Sequence, residues 1–411
     1  MSADRFEREA VRDTAKRNGE RNGPHVVSLG CRLNIAESER MKAMLAQAGD
    51  VVVVNSCAVT SAAVRQTRQA IRRARRDRPD ARLMVTGCAA EIERDAISAM
   101  PEVDGLIAND RKLDPRAWNI PPATTASPPT RTRAFIAVQN GCDHACTFCV
   151  IPQGRGSSRS LTIPQVLNEV ETHIAMGAAE VVLTGVDVTS WGHDLPGSPP
   201  LGELVAAILD RFPELTRLRM SSLDGVEIDD CLFDLFASEM RLMPHLHLSL
   251  QHGHDLMLKR MKRRHLRHDA VELVTRLKAR RPSIAIGADL IAGFPTEHCD
   301  HHEANLSIID DLDIVHGHIF PYSPRPGTPA ARMPQVDRET IKSRAAELRE
   351  RVAARRAEWL SALVGETMPV LAERDGTGYT PEYARVRVPG DIAAGTIARL
   401  TPRATDEGML I

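Results

Sequence analysis

Three cysteines fall within the short run Gly141-Cys142-Asp143-His144-Ala145-Cys146-Thr147-Phe148-Cys149. Structural zinc closes its shell with four ligands, usually from CxxC pairs, whereas this CxxxCxxC spacing supplies three. Three thiolates on a four-iron four-sulfur cluster leave one iron open to bind and reduce a ligand. Cys142, Cys146 and Cys149 are therefore expected to hold a metal centre for one-electron chemistry. A second trio, Cys31, Cys57 and Cys88, is too widely spaced for any finger motif. Its case rests on topology, because each cysteine ends a short apolar segment, HVVSLG, VVVVNS or RLMVTG. Parallel strands bring such ends to one edge of a sheet, where ligands sit.

The elements that must position these residues follow from patterning. From His25 to Asp110 the unit strand, Cys, helix recurs three times, and the apolar segment VDGLIAN follows. This predicts an open, mostly parallel α/β domain over 24–120, after a leader at 1–23. PPATTASPPTR reads as a linker, placed at 121–132. A domain is placed at 133–360, and between about 133 and 330 lie six strand candidates, AFIAVQ, EVVLTGV, LTRLRM, HLHLSL, SIAIGADL and DIVHGHIF, separated by helical patterns. Leu201, Leu204, Val205, Ile208, Leu209 and Phe212 show the helical period. Six β/α units predict a partial (β/α)6 TIM-like barrel. A long Arg/Glu/Ala helix follows at roughly 335–360. The tail 361–411, with Gly365, Gly376, Gly378, Gly390 and Gly395 between short alternating segments, predicts a small antiparallel β-barrel or sandwich.

Composition narrows the class. A chain of 411 residues, at about 150 per domain, holds two or three domains. It is 43% hydrophobic and 26% charged, as globular proteins are. No apolar run reaches the ~18 residues of a membrane span. Residues 1–23 lack the apolar stretch of an export signal, so a cytosolic setting with reduced thiols is expected. Eight cysteines are too few for a disulfide scaffold and point instead to metal, cluster or catalytic roles. The net charge of −1 leaves any polyanion contact to local patches. Two exist: Arg65, Arg68, Arg72, Arg73, Arg75, Arg76 and Arg78 on one helix, and Lys259, Arg260, Lys262, Arg263, Arg264 and Arg267. Aromatics at 3% argue against a reader that stacks bases.

Other features are given structural readings. His245, His247, His252 and His254 alternate through and beyond a strand and are taken as satisfied structural side chains. His302-Glu303 opens no HExxH motif, because position 306 is Leu. Cys231 and Cys299 are read as packing residues. No P-loop or GxGxxG occurs.

The CxxxCxxC run, with Phe148 before its last cysteine, resembles the radical S-adenosylmethionine (SAM) superfamily. That resemblance implies SAM on the open iron, cleaved reductively to a carbon radical. It also implies cofactor-lining positions at Phe148, Thr184, Gly185, Ser221, Gln251 and Asp289. The wording SLGCRLNIAESE, VNSCAVT, TGCAAE, QNGCDHACTFCVIPQGRGSSRS, GFPTE and FPYSPRPGTPA is similar to the methylthiotransferases over about 25–411. Cys-Arg-Leu-Asn at 31–34 and Leu-Thr-Gly-Val at 183–186 resemble the branch acting on N6-threonylcarbamoyladenosine at tRNA position 37. The family implies a second 4Fe-4S cluster on Cys31, Cys57 and Cys88, two roles for SAM, a TRAM-like RNA-binding tail, and an electron donor such as flavodoxin or ferredoxin. The chain departs from the family at Gln251-His252-Gly253, at Ala288-Asp289 and at Thr296, where glycine is usual. Two alternatives stand beside this reading. One is the same chemistry on isopentenyladenosine tRNA or a ribosomal protein; the other is a zinc-containing RNA-binding protein without catalysis.

Overall fold

The strands His25–Ser28, Val51–Ser56, Arg82–Gly87 and Gly105–Leu106 lie side by side in chain order, every pair parallel. The computed structural model describes residues 23–120 and 132–411, so the expected leader and linker fall almost wholly outside the described residues. The second strand, VVVVNS, is buried along its whole length, the pattern of a parallel strand covered on both faces. Val52, Val54, Leu83 and Val85 pack with Ile71 and Ile97 on one side, while Val53 and Met84 meet Val26, Met41 and Trp118 on the other. Helices begin directly where strands end: Arg32–Met44, Ser61–Asp77 and Cys88–Ile92. Thr60 starts the second of these, its Oγ1 accepting from the Ala63 amide at 3.1 Å, as an N-cap threonine does. Segments 140–158 and 323–328 cluster in the same compact unit as this sheet.

The second unit contains the long parallel array. Arg133–Ala137, Glu180–Thr184 and Leu218–Met220 form one run, and Ser222–Leu223, His245–Gln251, Ala285–Ala292 and Ile314–Pro321 form the next. All neighbours are parallel. The six strand positions match the six candidates, the third being interrupted at Ser221. Helices Ile163–Ala175, Leu201–Arg211, Asp230–Ser238, Arg267–Arg280, Cys299–Asp311 and Arg338–Ala362 alternate with or follow the strands. The stripe Leu201, Leu204, Val205, Ile208 and Leu209 is buried, as its period requires.

Some side chains depart from expectation. Cys231 and Cys299 are exposed: both sit on helices, but on faces turned to solvent, so neither is a packing residue. Thr296 has φ +66°, which explains why glycine suits this turn. A β-branched residue there costs about 1–2 kcal/mol. Its hydroxyl in turn accepts from Arg260 Nη1 at 2.7 Å.

The tail forms a six-stranded sheet that is mixed, where an antiparallel one was expected. Most pairs are antiparallel, but Val386 and Leu410 pair in parallel. This sheet is fastened to the first strands of the array by arginines. Arg219 donates from Nε and Nη2 to the Glu180 carboxylate at 2.9 and 3.2 Å, and from Nη1 to the Pro381 carbonyl at 2.9 Å. Arg217 donates to the carbonyls of Tyr379 and Pro369 at 3.0 and 2.8 Å. Arg133 lies over the Tyr379 ring, 4.7 Å from its centroid.

Burial pushes the Glu180 carboxyl up, but Arg219, Arg133 and Arg217 outweigh it and hold the group below its ordinary value of 4.5. Its stabilisation is therefore present above that pH and is lost as pH falls below it. Glu180→Gln leaves two guanidinium groups buried without a counter-charge, at about 3–5 kcal/mol. Denaturant titration should find that loss at pH 7 and a flatter acid dependence below pH 4.5. A loss under about 1 kcal/mol, the range of an exposed pair, would contradict the assignment.

Candidate active site

Both cysteine trios belong to the first unit. Cys31 directly precedes helix Arg32–Met44, Cys57 follows strand Val51–Ser56, and Cys88 opens helix Cys88–Ile92. All three thus lie at the carboxyl edge of the sheet. Their loops approach closely: a side chain added at Gly30, where φ is +91°, would meet Cys57 Sγ at 2.7 Å. Burial pushes the Cys57 thiol up to about 12, with Cys31 and Cys88 adding to the rise. Cys88 is also pushed up by burial, while Arg155 and Lys112 pull it back. The three sulfurs therefore share one electrostatic neighbourhood. Buried thiols of this kind ionise when a metal centre takes the place of the proton.

Cys142, Cys146 and Cys149 lie on a tight loop, all half-buried. The Cys142 amide donates to the Gly156 carbonyl at 3.1 Å, and the Cys149 amide to the Cys146 carbonyl at 3.2 Å. Gly141 has φ +78°, and a Cβ there would lie 1.9 Å from the Ser157 carbonyl oxygen, so no other residue fits. None of the eight cysteines is in a disulfide. Two trios of thiols, the first with Arg155 and Lys112 nearby, fit iron–sulfur ligation, in which thiolate charge must be balanced.

Sequence reasoning missed what joins the trios. Arg155, at the end of the short helix after the cysteine loop, donates from Nη1 and Nη2 to the two Glu37 oxygens at 3.0 and 3.1 Å. It also donates to Asn34 Oδ1 at 2.5 Å and Asn140 Oδ1 at 2.8 Å. Lys112 Nζ meets Glu37 Oε2 at 2.5 Å and Asn55 Oδ1 at 3.3 Å. Asn34 donates in turn to the carbonyls of Leu29 and Ser56, beside Cys31 and Cys57. Two cations share one carboxylate, and the surplus positive charge falls near Cys31 and Cys88. Burial pushes Glu37 up, yet Lys112 and Arg155 hold it below its ordinary value. One signal was available: Asn34, Glu37 and Ser38 interrupt the covered face of their helix with polar groups.

The remaining sequence-predicted positions divide between the units. Phe148 is half-buried on the cysteine loop, while Thr184, Gly185, Ser221, Gln251 and Asp289 stand on the parallel array. Gln139 Oε1 accepts from the Val186 and Asp187 amides at 3.0 and 2.9 Å and so shapes the turn after Thr184-Gly185. Ser221 is buried and its hydroxyl has no partner among the described residues, as a ligand-facing donor would be. Gln251 takes φ +70°, a strained conformation characteristic of functional positions. Asp289 lies between His247 and His318. His252 is fully buried against Glu297, which Arg344 also binds.

Comparisons with known proteins agree with this anatomy. Residues 136–305 match the radical SAM superfamily, and residues 24–108 match a family described as uncharacterized protein family UPF0004. A solved radical SAM methyltransferase, TsrM from Kitasatospora setae, shares the fold with a TM-score of 0.51 and 17% identity, over 69% of this chain and 64% of that one. The array and the cysteine loop define a radical SAM enzyme, whose cofactors are 4Fe-4S clusters and SAM. Threonylcarbamoyladenosine tRNA methylthiotransferase MtaB of Rickettsia prowazekii is 42% identical over 94% of this chain and 96% of its own. The tRNA-2-methylthio-N(6)-dimethylallyladenosine synthase of Erythrobacter litoralis is 32% identical over 91% and 93%. The chain belongs to the radical SAM tRNA methylthiotransferases, which sets aside the zinc-protein alternative.

Arg155→Met leaves Lys112 as the one cation on Glu37 among the described residues and takes a donor from the Asn34 and Asn140 side-chain oxygens. It should cost about 3–5 kcal/mol in denaturant titration, and Arg155→Lys, which cannot bridge both carboxylate oxygens, should recover only part of it. Full recovery by lysine would show that charge alone matters there.

Proposed function

We propose that this chain adds a methylthio group to carbon 2 of N6-threonylcarbamoyladenosine at tRNA position 37, using two 4Fe-4S clusters and two molecules of SAM. Cys142, Cys146 and Cys149 would hold one cluster, and Cys31, Cys57 and Cys88 the other. When bound, these groups supply the electron that turns SAM into a hydrogen-abstracting carbon radical and the sulfur that a second SAM methylates. Radical chemistry is required because the adenine C–H is too weakly acidic for a base. The observation that carries the reading is the placement of both thiol trios in one compact unit, bridged by Arg155 and Glu37.

The protein's own part is positioning and charge. Gly141 gives the cysteine loop the left-handed turn and the close approach to Ser157 that a side chain would block. Arg155 and Lys112 offset thiolate charge near Cys88 and Cys31. Phe148, Thr184, Gly185, Ser221, Gln251 and Asp289 are proposed to line SAM, with the Ser221 hydroxyl and the Thr184–Gly185 turn offering its polar contacts. The mixed C-terminal sheet is proposed to be a TRAM-like RNA-binding barrel. An external flavodoxin or ferredoxin would deliver electrons, in the cytoplasm; no helix among the described residues is long and apolar enough to cross a membrane. The higher identity to the threonylcarbamoyladenosine relative supports that substrate over the dimethylallyl one.

Nucleoside mass spectrometry of tRNA from a deletion strain should show loss of the methylthio mark on threonylcarbamoyladenosine and its return with the wild-type chain. An unchanged profile rejects the substrate. Cys57→Ala should still cleave SAM while giving no methylthio product, and retained product removes Cys57 from the second cluster.

The two basic patches separate once their partners are known. Arg263 and Arg264 bind Asp224 and Glu227, Arg267 binds Asp311, and Arg260 binds Thr296. On helix Ser61–Asp77 Arg68 and Arg75, and just past its end Arg78, are likewise paired with acids. Arg65, Arg73 and Arg76 are exposed on one helical face with no acidic partner among the described residues. Changing these three to Ala should weaken tRNA binding and lower the slope of log affinity against log salt by about three. An unchanged slope would remove this face from the tRNA interface.

A further inference from the structure

The parallel array carries two histidines, His247 and His318, that the reaction above leaves without a task, on either side of Asp289, which is proposed there to line SAM. His247, the third residue of strand His245–Gln251, Asp289 in the middle of Ala285–Ala292 and His318 in the middle of Ile314–Pro321 occupy adjacent strands. His247 Nε2 and His318 Nδ1 each lie 3.0 Å from the same oxygen, Asp289 Oδ1. The two rings sit 4.6 Å apart by centroid. One ligand atom from each residue falls within 4.8 Å of the other two. Both imidazoles hold the Asp289 carboxyl far below the usual range, against the effect of burial. The oxygen is therefore an acceptor, and two N–H groups converge on it.

We infer that His247, Asp289 and His318 form a binding site for a divalent transition metal, zinc by ligand chemistry. The donor set of two imidazoles and one carboxylate is a common zinc triad. Ligand atoms at 2.0–2.1 Å from a tetrahedral zinc lie about 3.3 Å apart, so the observed 3.0 Å separations need open by only a few tenths of an ångström. On binding, the metal takes the place of two ring protons, and each neutral ring can carry its proton on its other nitrogen. For His318 that nitrogen has solvent access, the side chain being 45% exposed. The same exposure leaves a fourth position for water or an anionic ligand oxygen.

A second observation points the same way. Gly287 stands beside His247 in the sheet, and a Cβ there would lie 2.3 Å from His247 Nδ1. Glycine inside a strand weakens it and marks a close approach. Here the missing side chain admits the imidazole ring. A comparable group, His254, Asp300 and His301, lacks this property. There both Nδ1 atoms already accept backbone N–H bonds, from Leu256 and His298, so each neutral ring carries its proton on Nε2 and cannot ligate through it.

The inference is independent of the substrate, and its test reads a different element from the clusters. Full-length protein, purified anaerobically with its iron–sulfur content restored, is dialysed against buffered zinc, and zinc and iron per chain are measured by plasma mass spectrometry. About one zinc should be gained with no loss of iron. His318→Gln, at a half-exposed position, should weaken zinc binding at least about tenfold with iron and sulfide unchanged, and Asp289→Asn should do the same. The inference is overturned if the wild type gains no zinc, if His318→Gln holds zinc as tightly as the wild type, or if zinc enters only as iron leaves, which would place it on the cysteines.

Discussion

One buried carboxylate holds together the parts of this protein that carry sulfur. Glu37 accepts from Arg155 and Lys112, both almost wholly removed from water. Taking three charges out of water is costly, and the arrangement is tolerable only because each partner is also hydrogen-bonded to asparagines or carbonyls. The three charges come from the helix after Cys31, the loop after the fourth strand and the turn after Cys149. None can relax alone without leaving another uncompensated. The loop of the first trio and the loop of the second are in this way fixed by the same bond, and the surplus of one positive charge lies where thiolates need it.

Much of the fold is visible in the chain. The runs HVVSLG, VVVVNS and RLMVTG become parallel strands with a cysteine just past each carboxyl end, and VVVVNS, the run richest in β-branched residues, is the one buried along its whole length. The six barrel segments fall where the helical and strand periods alternate. The Glu37 cluster was less accessible. Asn34, Glu37 and Ser38 are legible as polar groups on a covered helix face, but their partners Lys112 and Arg155 are surface-type residues by sequence, and only tertiary placement buries them. For the same reason Cys231 and Cys299 appeared to be packing residues: helical context alone does not say which face a single residue occupies.

Charge runs show the complementary limit. Seven arginines on one helix look uniform in sequence, yet those at 68, 75 and 78 serve neighbouring acids while those at 65, 73 and 76 face outward. The run at 259–267 is mostly consumed in holding Asp224, Glu227, Asp311 and the Thr296 turn. Acids that come from distant segments decide which cations remain available, and composition cannot reveal them. Thr296 is instructive in another way: a backbone requirement for the left-handed region persists although the residue that best meets it is absent, and a hydrogen bond from Arg260 helps to offset the cost.

The arginine clasp between the parallel array and the terminal sheet has a mechanical meaning. Modules hung on a flexible tether merely raise the local concentration of whatever they grip, and leave its orientation free. Here Arg217 and Arg219 stitch main-chain carbonyls of the sheet to the base of the strands, and Arg133 stacks on its tyrosines. An RNA segment seated on that sheet would therefore be measured off against the array like work held in a fixed jig, and its reach would be set by rigid distance instead of by tether length.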